Sequence, residues 1–303
     1  MTPVDREWQA PIHELSSLRD FLRWGVSRLF KDAAVFGHGF DDPWDEALAI
    51  ILYGLNLPWE IDDRVLDARL LEEERRDLVA LFRRRLVERI PTAYLTRSAW
   101  FAEMEFYVDE RVLVPRSPLA ELIEGRFQEW IDPSRVERIL DLCTGSGCVA
   151  MAAAMAFPAA EVVGTDISAP ALEVAKINRT RHGLEERVEL LEGDLYTPLG
   201  AGPFDLILSN PPYVPVAAMA ELPAEYRHEP ELGLVAGQDG LDIVRRILSG
   251  ARQWLAPGGL LVVEVGDGQD AVEHAFPDTP FFWPEFMRGG HGVFVLSADQ
   301  LPE

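Results

Sequence analysis

Four consecutive residues, Asn210-Pro211-Pro212-Tyr213, have the composition of a holder for a flat amino group. The asparagine offers one amide oxygen as an acceptor. The two prolines stiffen the backbone that follows, so the Pro211 carbonyl has a defined direction. Tyr213 adds an aromatic face. Together the Asn210 amide oxygen and the Pro211 carbonyl suit the two hydrogens of a planar NH2, with Tyr213 packed near its plane. An adenine, a cytosine and a glutamine side chain all meet that description.

A second group of residues suits a nucleoside-containing ligand. Asp141-Leu142-Cys143-Thr144-Gly145-Ser146-Gly147 reads as a glycine-rich turn between an apolar strand and an Ala-rich helix. Glycines at such a turn let the backbone bend sharply and approach a ligand. Asp166, followed by Ile167, stands 19 residues beyond Gly147, where a carboxylate reaches both hydroxyls of a ribose. Asp194 ends a third apolar run and can accept from an adenine amine, with Leu195 packing on the base. The turn departs from the dinucleotide fingerprint: it reads Gly-Ser-Gly-Cys-Val-Ala, and Ala150 takes the place of the third glycine. It holds no basic residue for a pyrophosphate, and Asp141 is acidic. That set suits a cofactor with a positive centre and an ammonium group, as S-adenosyl-L-methionine has.

The elements that must position these residues are legible as alternation. Apolar runs at Ile139–Leu142, Val162–Thr165, Val188–Leu191, Phe204–Leu208 and Leu260–Val265 are separated by helical segments at Val149–Phe157, Ala169–Arg181 and Leu241–Trp254. The pattern predicts an α/β fold, a mostly parallel sheet covered by helices on both faces. Val293–Leu296 reads as a last strand, with Phe281–Trp283 as its partner. The prolines after Phe204–Leu208 cannot continue a ladder, so the Asn-Pro-Pro-Tyr stretch must leave the sheet at a carboxyl end, where open sheets of this kind bind ligands.

The first 90 residues read as helical. Leu15, Leu18, Leu22, Val26 and Leu29 recur at helical spacing. Asp42-Pro43 opens a second helix, and a third spans Glu72–Arg89, stopped by Pro91. Its arginines, Arg75, Arg76, Arg83, Arg84, Arg85 and Arg89, are expected on a solvated face that RNA or an acidic surface would also suit. Phe106, Val108, Val112 and Val114 flank Asp109-Glu110-Arg111, which predicts a β-hairpin turning at those three residues.

With 303 residues, one to two domains are expected. No apolar run spans a bilayer and the start lacks a secretory core, so the cytoplasm is the expected compartment. The two cysteines, Cys143 and Cys148, form neither a disulfide framework nor a metal-ligand pattern. A net charge of −23 makes the chain a poor general duplex binder and favours a basic protein as its large partner.

Asp141–Gly147, Asp166 and Asn210–Tyr213 resemble the motifs of class I S-adenosylmethionine-dependent methyltransferases. Across nearly the whole chain the sequence is similar to the protein-glutamine N-methyltransferases of the HemK/PrmB group. Ala99-Trp100-Phe101, the stretch Phe106–Pro118, Leu142–Cys148 and Gly289–Phe294 are similar to the branch that modifies large-subunit ribosomal protein L three. The release-factor branch usually has Gly where Cys143 stands and Glu-Thr where Ser117-Pro118 stands. The resemblance implies a Rossmann-like, mostly parallel seven-stranded sheet. It also implies a helical N-terminal substrate-recognition domain at 1–92, a β-hairpin linker at 93–117 and a catalytic domain at 118–303. It places S-adenosyl-L-methionine against Asp141, Cys143, Thr144, Gly145, Ser146, Gly147, Asp166, Ile167, Asp194, Leu195 and Asn210, with Asn210–Tyr213 as the catalytic turn and no metal. The loop 214–234 would shape a peptide channel, its Glu221, Glu225, Glu229 and Glu231 facing a basic substrate. A release-factor glutamine methyltransferase and a DNA adenine methyltransferase, which shares the Asn-Pro-Pro-Tyr turn, are the alternatives. The net charge and the lack of a recognisable DNA-reading domain weigh against the second.

Overall fold

The computed structural model describes residues 3–301. The chain forms two units: one ends at Ser98 and also takes in Pro223–His228, and the other comprises Ala99–Leu222 and the chain from Glu229 onward. Among the described residues no helix is long and apolar enough to cross a membrane.

The first unit holds α1 (Pro3–Glu14), α2 (Leu18–Lys31), α3 (Pro43–Gly54), α4 (Glu72–Leu86) and α5 (Thr92–Thr96). The periodicity from Leu15 to Leu29 is broken at Ser17, which caps α2 through the Asp20 N–H while Asp20 accepts from the Ser17 backbone. Asp42 caps α3 through the Trp44 N–H. Leu18, Phe21, Leu29, Ile50, Leu78 and Phe82 form the core between these helices.

The arginine-rich face of α4 differs from expectation. Arg85 is buried, held by Glu46, Glu225 and the Val35 carbonyl. Arg89 donates to the Asp32 and Ala33 carbonyls and Arg75 to that of Leu15. Helical spacing puts Arg85 on the same side as Phe82 and Leu86, which carries it into the core. Arg83 and Arg84 are exposed.

The second unit opens with a hairpin, β1 (Ala99–Phe101) and β2 (Met104–Phe106). Its turn is Ala102-Glu103, both in the left-handed region, and not Asp109–Arg111. Asp109 instead anchors a buried loop, its carboxylate accepting from Arg111 and from the Tyr107 hydroxyl. Burial alone would raise the Asp109 carboxyl, but these donors outweigh it and bring it down to about 2. A carboxylate with that many donors organises the chain around itself and leaves no ladder to form.

After α6 (Leu119–Glu124) come β3 (Arg138–Leu142), α7 (Cys148–Ala156), β4 (Glu161–Asp166), α8 (Ala169–Arg181), β5 (Val188–Glu192), β6 (Phe204–Ser209), α9 (Asp242–Trp254), β7 (Leu255–Glu264), α10 (Gln269–Ala275) and β8 (Val293–Ser297). The sheet order is β5-β4-β3-β6-β7-β8, with β8 antiparallel and the other pairs parallel. Among the described residues six strands of this sheet carry regular ladders. The seventh position expected at the edge is a single bridge between Phe282 and Val295.

Both faces are covered, so the strands are apolar throughout rather than alternating. Ile139, Leu206 and Val262 pack on one side with Phe157 and Phe127. Leu140, Ile207 and Leu261 pack on the other with Val244, Ile247 and Leu248. Strand order reverses between β3 and β6, so the chains leaving those two strands diverge and open a crevice at the carboxyl edge.

Candidate active site

That crevice holds a cavity of about 230 Å³. The turn after β3 forms one wall. The buried Asp141 Oδ2 accepts from the Thr144 hydroxyl at 2.6 Å and the Ala150 N–H at 3.1 Å. This hooks the turn back onto the strand and onto the start of α7. Cys143, Gly145 and Gly147 all have φ between +54° and +80°. At Gly147 a Cβ would also come within 2.9 Å of the Met151 methyl and 3.2 Å of Ala175, so this glycine serves helix packing as well as the bend.

The turn after β4 supplies Asp166, which accepts from the Gly145 N–H and the Ser168 N–H, each at 2.8 Å. One carboxylate thus ties the turns of two neighbouring strands together. Beside it the Thr165 hydroxyl is fully buried, lines the cavity and takes no hydrogen-bond partner among the described residues. Asp194 and Leu195 follow β5; Leu195 is buried with φ +51°, and Asp194 pairs at 2.7 Å with Arg246 of α9. That pair is half exposed, so it is worth little in stability.

From β6 come Asn210 and the two prolines. Ser209 donates to the Leu142 carbonyl at 2.8 Å and closes β6 on β3 just before the turn. The Asn210 amide takes no hydrogen-bond partner among the described residues and faces the cavity. Tyr213 lies with its ring against Gly266 and donates its hydroxyl to Glu264 at 2.9 Å. Every sequence-predicted site residue lines the cavity except Gly147 and Pro211, both of which are buried.

Burial dominates the electrostatics. It raises the Asp166 carboxyl and pushes Asp141 up to about 7. It also pushes the Cys148 thiol up to about 12 and raises Cys143 further, so neither thiol is a nucleophile at neutral pH. A cavity whose carboxylates are held above their usual range and whose cations are each paired suits a positively charged ligand. Its arginines do not change this. Arg111 is committed to Asp109, Arg116 to Glu229 and Arg246 to Asp194.

Two glutamates expected to face a substrate are spent inside the fold. The Glu229 side chain is fully buried and accepts from Arg116 and from the Val114 N–H. Glu225 is buried in the helical unit against Arg85 and the Val35 N–H. Each carboxylate, once packed away from water, is held by an arginine. Glu221 and Glu231 are exposed.

Sequence reasoning missed Glu264, Thr165 and the role of Ser117. Glu264 had a signal: it is the one charged residue in the apolar run Leu260–Val265. It is 4% exposed, and burial pushes it up to about 7.

Asp141 and Glu264 make the stability of the fold depend on pH. Both bind a proton more tightly folded than unfolded. Their contribution is therefore complete below about pH 4 and is lost as pH rises through 7, at about 1.4 kcal/mol per pH unit for each group inside that window. Urea midpoints should fall between pH 5 and 8. Asp141→Asn should flatten that slope, because both bonds go to one oxygen that an amide retains. An unchanged slope in the variant would remove Asp141 as its source.

The chain is similar to known methyltransferases. Residues 127–222 match the family model "Methyltransferase small domain". A ribosomal protein uL3 glutamine methyltransferase from Bordetella pertussis is 48% identical over 95% of this chain and 97% of its own. Its counterpart from Burkholderia pseudomallei is 49% identical over 94% of this chain and 96% of its own. That from Neisseria gonorrhoeae is 49% identical over 95% and 96%. Each match covers nearly the whole chain, and the chain belongs to the family of ribosomal protein uL3 glutamine methyltransferases.

Proposed function

We propose that this chain uses S-adenosyl-L-methionine to methylate the side-chain amide nitrogen of a glutamine in ribosomal protein uL3, the large-subunit protein L three. The names of the relatives support the substrate. One observation carries the chemistry: the Asn210 amide stands unspent on the cavity wall, beside the glycine turn and the Asp166 carboxylate.

Asp141, Cys143, Thr144, Gly145, Ser146, Asp166, Ile167, Asp194 and Leu195 would hold the cofactor, with Gly147 bending the turn behind them. The fit rests on the acidic cavity, whose arginines are each paired, and on the Thr165 hydroxyl, which has no partner among the described residues. When bound, the cofactor supplies an electrophilic methyl group on a positive sulfur. The Asn210 amide oxygen and the Pro211 carbonyl accept the two hydrogens of the glutamine amide, and Pro212 keeps that backbone from moving. Tyr213 lies along the plane of the amide. Two acceptors on the same nitrogen draw its hydrogens to one side and weaken conjugation of its electron pair with the carbonyl. The pair would then form the new N–C bond as the bond from that methyl to sulfur breaks and its electrons stay on the sulfur, and the nitrogen would lose one proton to solvent after methylation. Acceleration comes from positioning and fixed dipoles rather than from a strong base.

The direct test incubates the enzyme and isotope-labelled cofactor with uL3 purified from cells lacking the activity. Mass spectrometry should place one methyl on a glutamine side chain. Label on a release factor or on duplex DNA, with none on uL3, would assign the chain to a different substrate.

A cation seated beside Asp141 favours its ionised form. Cofactor binding near pH 7 should therefore release a fraction of a proton, seen in calorimetry as a binding enthalpy that varies with the buffer's ionisation heat. Asp141→Asn should abolish that variation. The same buffer dependence in the variant would mean another group releases the proton.

A further inference from the structure

We propose that Glu264 is a positioning residue for the methyl-accepting amide. By accepting the Tyr213 and Ser117 hydroxyls on its two oxygens, it fixes the Asn210–Tyr213 turn against the 112–117 wall of the cleft. This rests on the reading of that turn as the amide holder.

The geometry is specific. Glu264 is the last residue of β7, and its Oε1 accepts from the Tyr213 hydroxyl at 2.9 Å. Its Oε2 accepts from the Ser117 hydroxyl. The Ser117 oxygen also accepts from the Leu119 N–H at 3.1 Å, so its own proton is available to Glu264. Two donors for two oxygens is the pattern of an ionised carboxylate. A protonated acid would keep one good acceptor and turn a donor toward the other hydroxyl, loosening one wall.

Both hydroxyl-bearing residues line the cavity, from chain segments about a hundred residues apart. Tyr213 is held at its ring as well. A Cβ at Gly266 would stand 2.7 Å from the ring, so a bare backbone there makes room for the tyrosine. The phenol hydrogen bond then sets where along that surface the ring stops.

The charges facing Glu264 do not replace its two hydroxyls. Arg116 is bound by Glu229 through both guanidinium nitrogens, and His291 is paired with Asp267 at 2.7 Å. These cations lower the Glu264 carboxyl slightly, and burial outweighs them. A carboxylate buried without an ion-pair partner costs stability. Glutamine or leucine would cost less at that position if packing were its purpose.

The test measures turnover at saturating cofactor from pH 5.5 to 9. Wild type should lose turnover on the acid side, with an apparent midpoint near 7. Glu264→Gln mimics the protonated acid. It should lower turnover at least tenfold at pH 8, flatten the acid limb and leave cofactor affinity by calorimetry within twofold. Ser117→Ala and Tyr213→Phe each remove one donor to the ionised form, and should move the limb to higher pH. They keep the proposal testable if Glu264→Gln does not fold. The double variant Glu264→Gln/Tyr213→Phe should be no worse than the poorer single, since both break one link.

Wild-type turnover in Glu264→Gln would overturn the proposal. So would a limb unmoved in Ser117→Ala and Tyr213→Phe, or multiplied losses in the double variant. Asn210→Ala separates the two levels: an inactive Asn210→Ala with a fully active Glu264→Gln sinks only the role of Glu264. Full activity in Asn210→Ala sinks the reading of the turn itself.

Discussion

Asn210→Ala should lower turnover by about 10²- to 10³-fold, the scale seen when one preorganised polar group is removed from a reacting centre. Cofactor affinity should stay within about threefold. The asymmetry follows from where the amide points. It spends nothing on the fold among the described residues, so its loss breaks no internal hydrogen bond. The cofactor cradle is tied together elsewhere, through Asp141 to Ala150 and Asp166 to Gly145. Alanine leaves one hydrogen of the substrate amide without an acceptor and lets its nitrogen pair fall back into conjugation. Single-turnover rates at saturating cofactor, with calorimetry on the same preparation, give the two quantities. Parallel loss of rate and affinity would mean that Asn210 serves the cofactor rather than the acceptor.

The second large effect is on stability. Arg85→Ala should destabilise the protein by about 3–5 kcal/mol, the cost of leaving buried charges unpaired. Arg85 is 2% exposed and binds Glu46 and Glu225 together. Thr92 also donates to Glu46, and the Val35 N–H and Arg89 to Glu225, but these supply a single further cation, at 3.4 Å. In the native protein burial works to raise Glu225, and Arg85 together with the backbone N–H groups of Glu225 and Val35 overcomes it, leaving the carboxyl below its usual value. Without Arg85 burial prevails and the carboxyl rises. The penalty should therefore be largest at pH 8 and shrink toward pH 5, as the stranded carboxyl takes up a proton. Urea unfolding at the two pH values tests this. A loss under 1 kcal/mol, or one independent of pH, would show that the site admits water.

Several residues show why the chain order was readable while its polar interior was not. Alternation of apolar runs with helical spacing is local, so the five parallel strands and their helices stood out in Arg138–Glu264. Proline and glycine are also local constraints, and they put Asn210 and the Gly145 turn at carboxyl strand ends. Their convergence needed one more step, the reversal of strand order between β3 and β6. The hairpin went to the wrong three residues because β-branched spacing around Asp109 imitates a turn. What Asp109 does depends on Tyr107 and Arg111 folding back onto it.

Ionisable side chains carried the least local information. Arg85 read as one of six similar arginines, and Glu225 and Glu229 as two of four loop acids. Which of them enters the interior depends on partners far along the chain: Glu46 lies 39 residues from Arg85, and Glu229 lies 113 from Arg116. Residue order therefore dictated the sheet, its edge turns and the amide at Asn210, since steric and periodic rules act over a few neighbours. Packing alone chose the partners of Glu264, Arg85 and Glu229. A charge leaves water only where the completed fold supplies its counterpart.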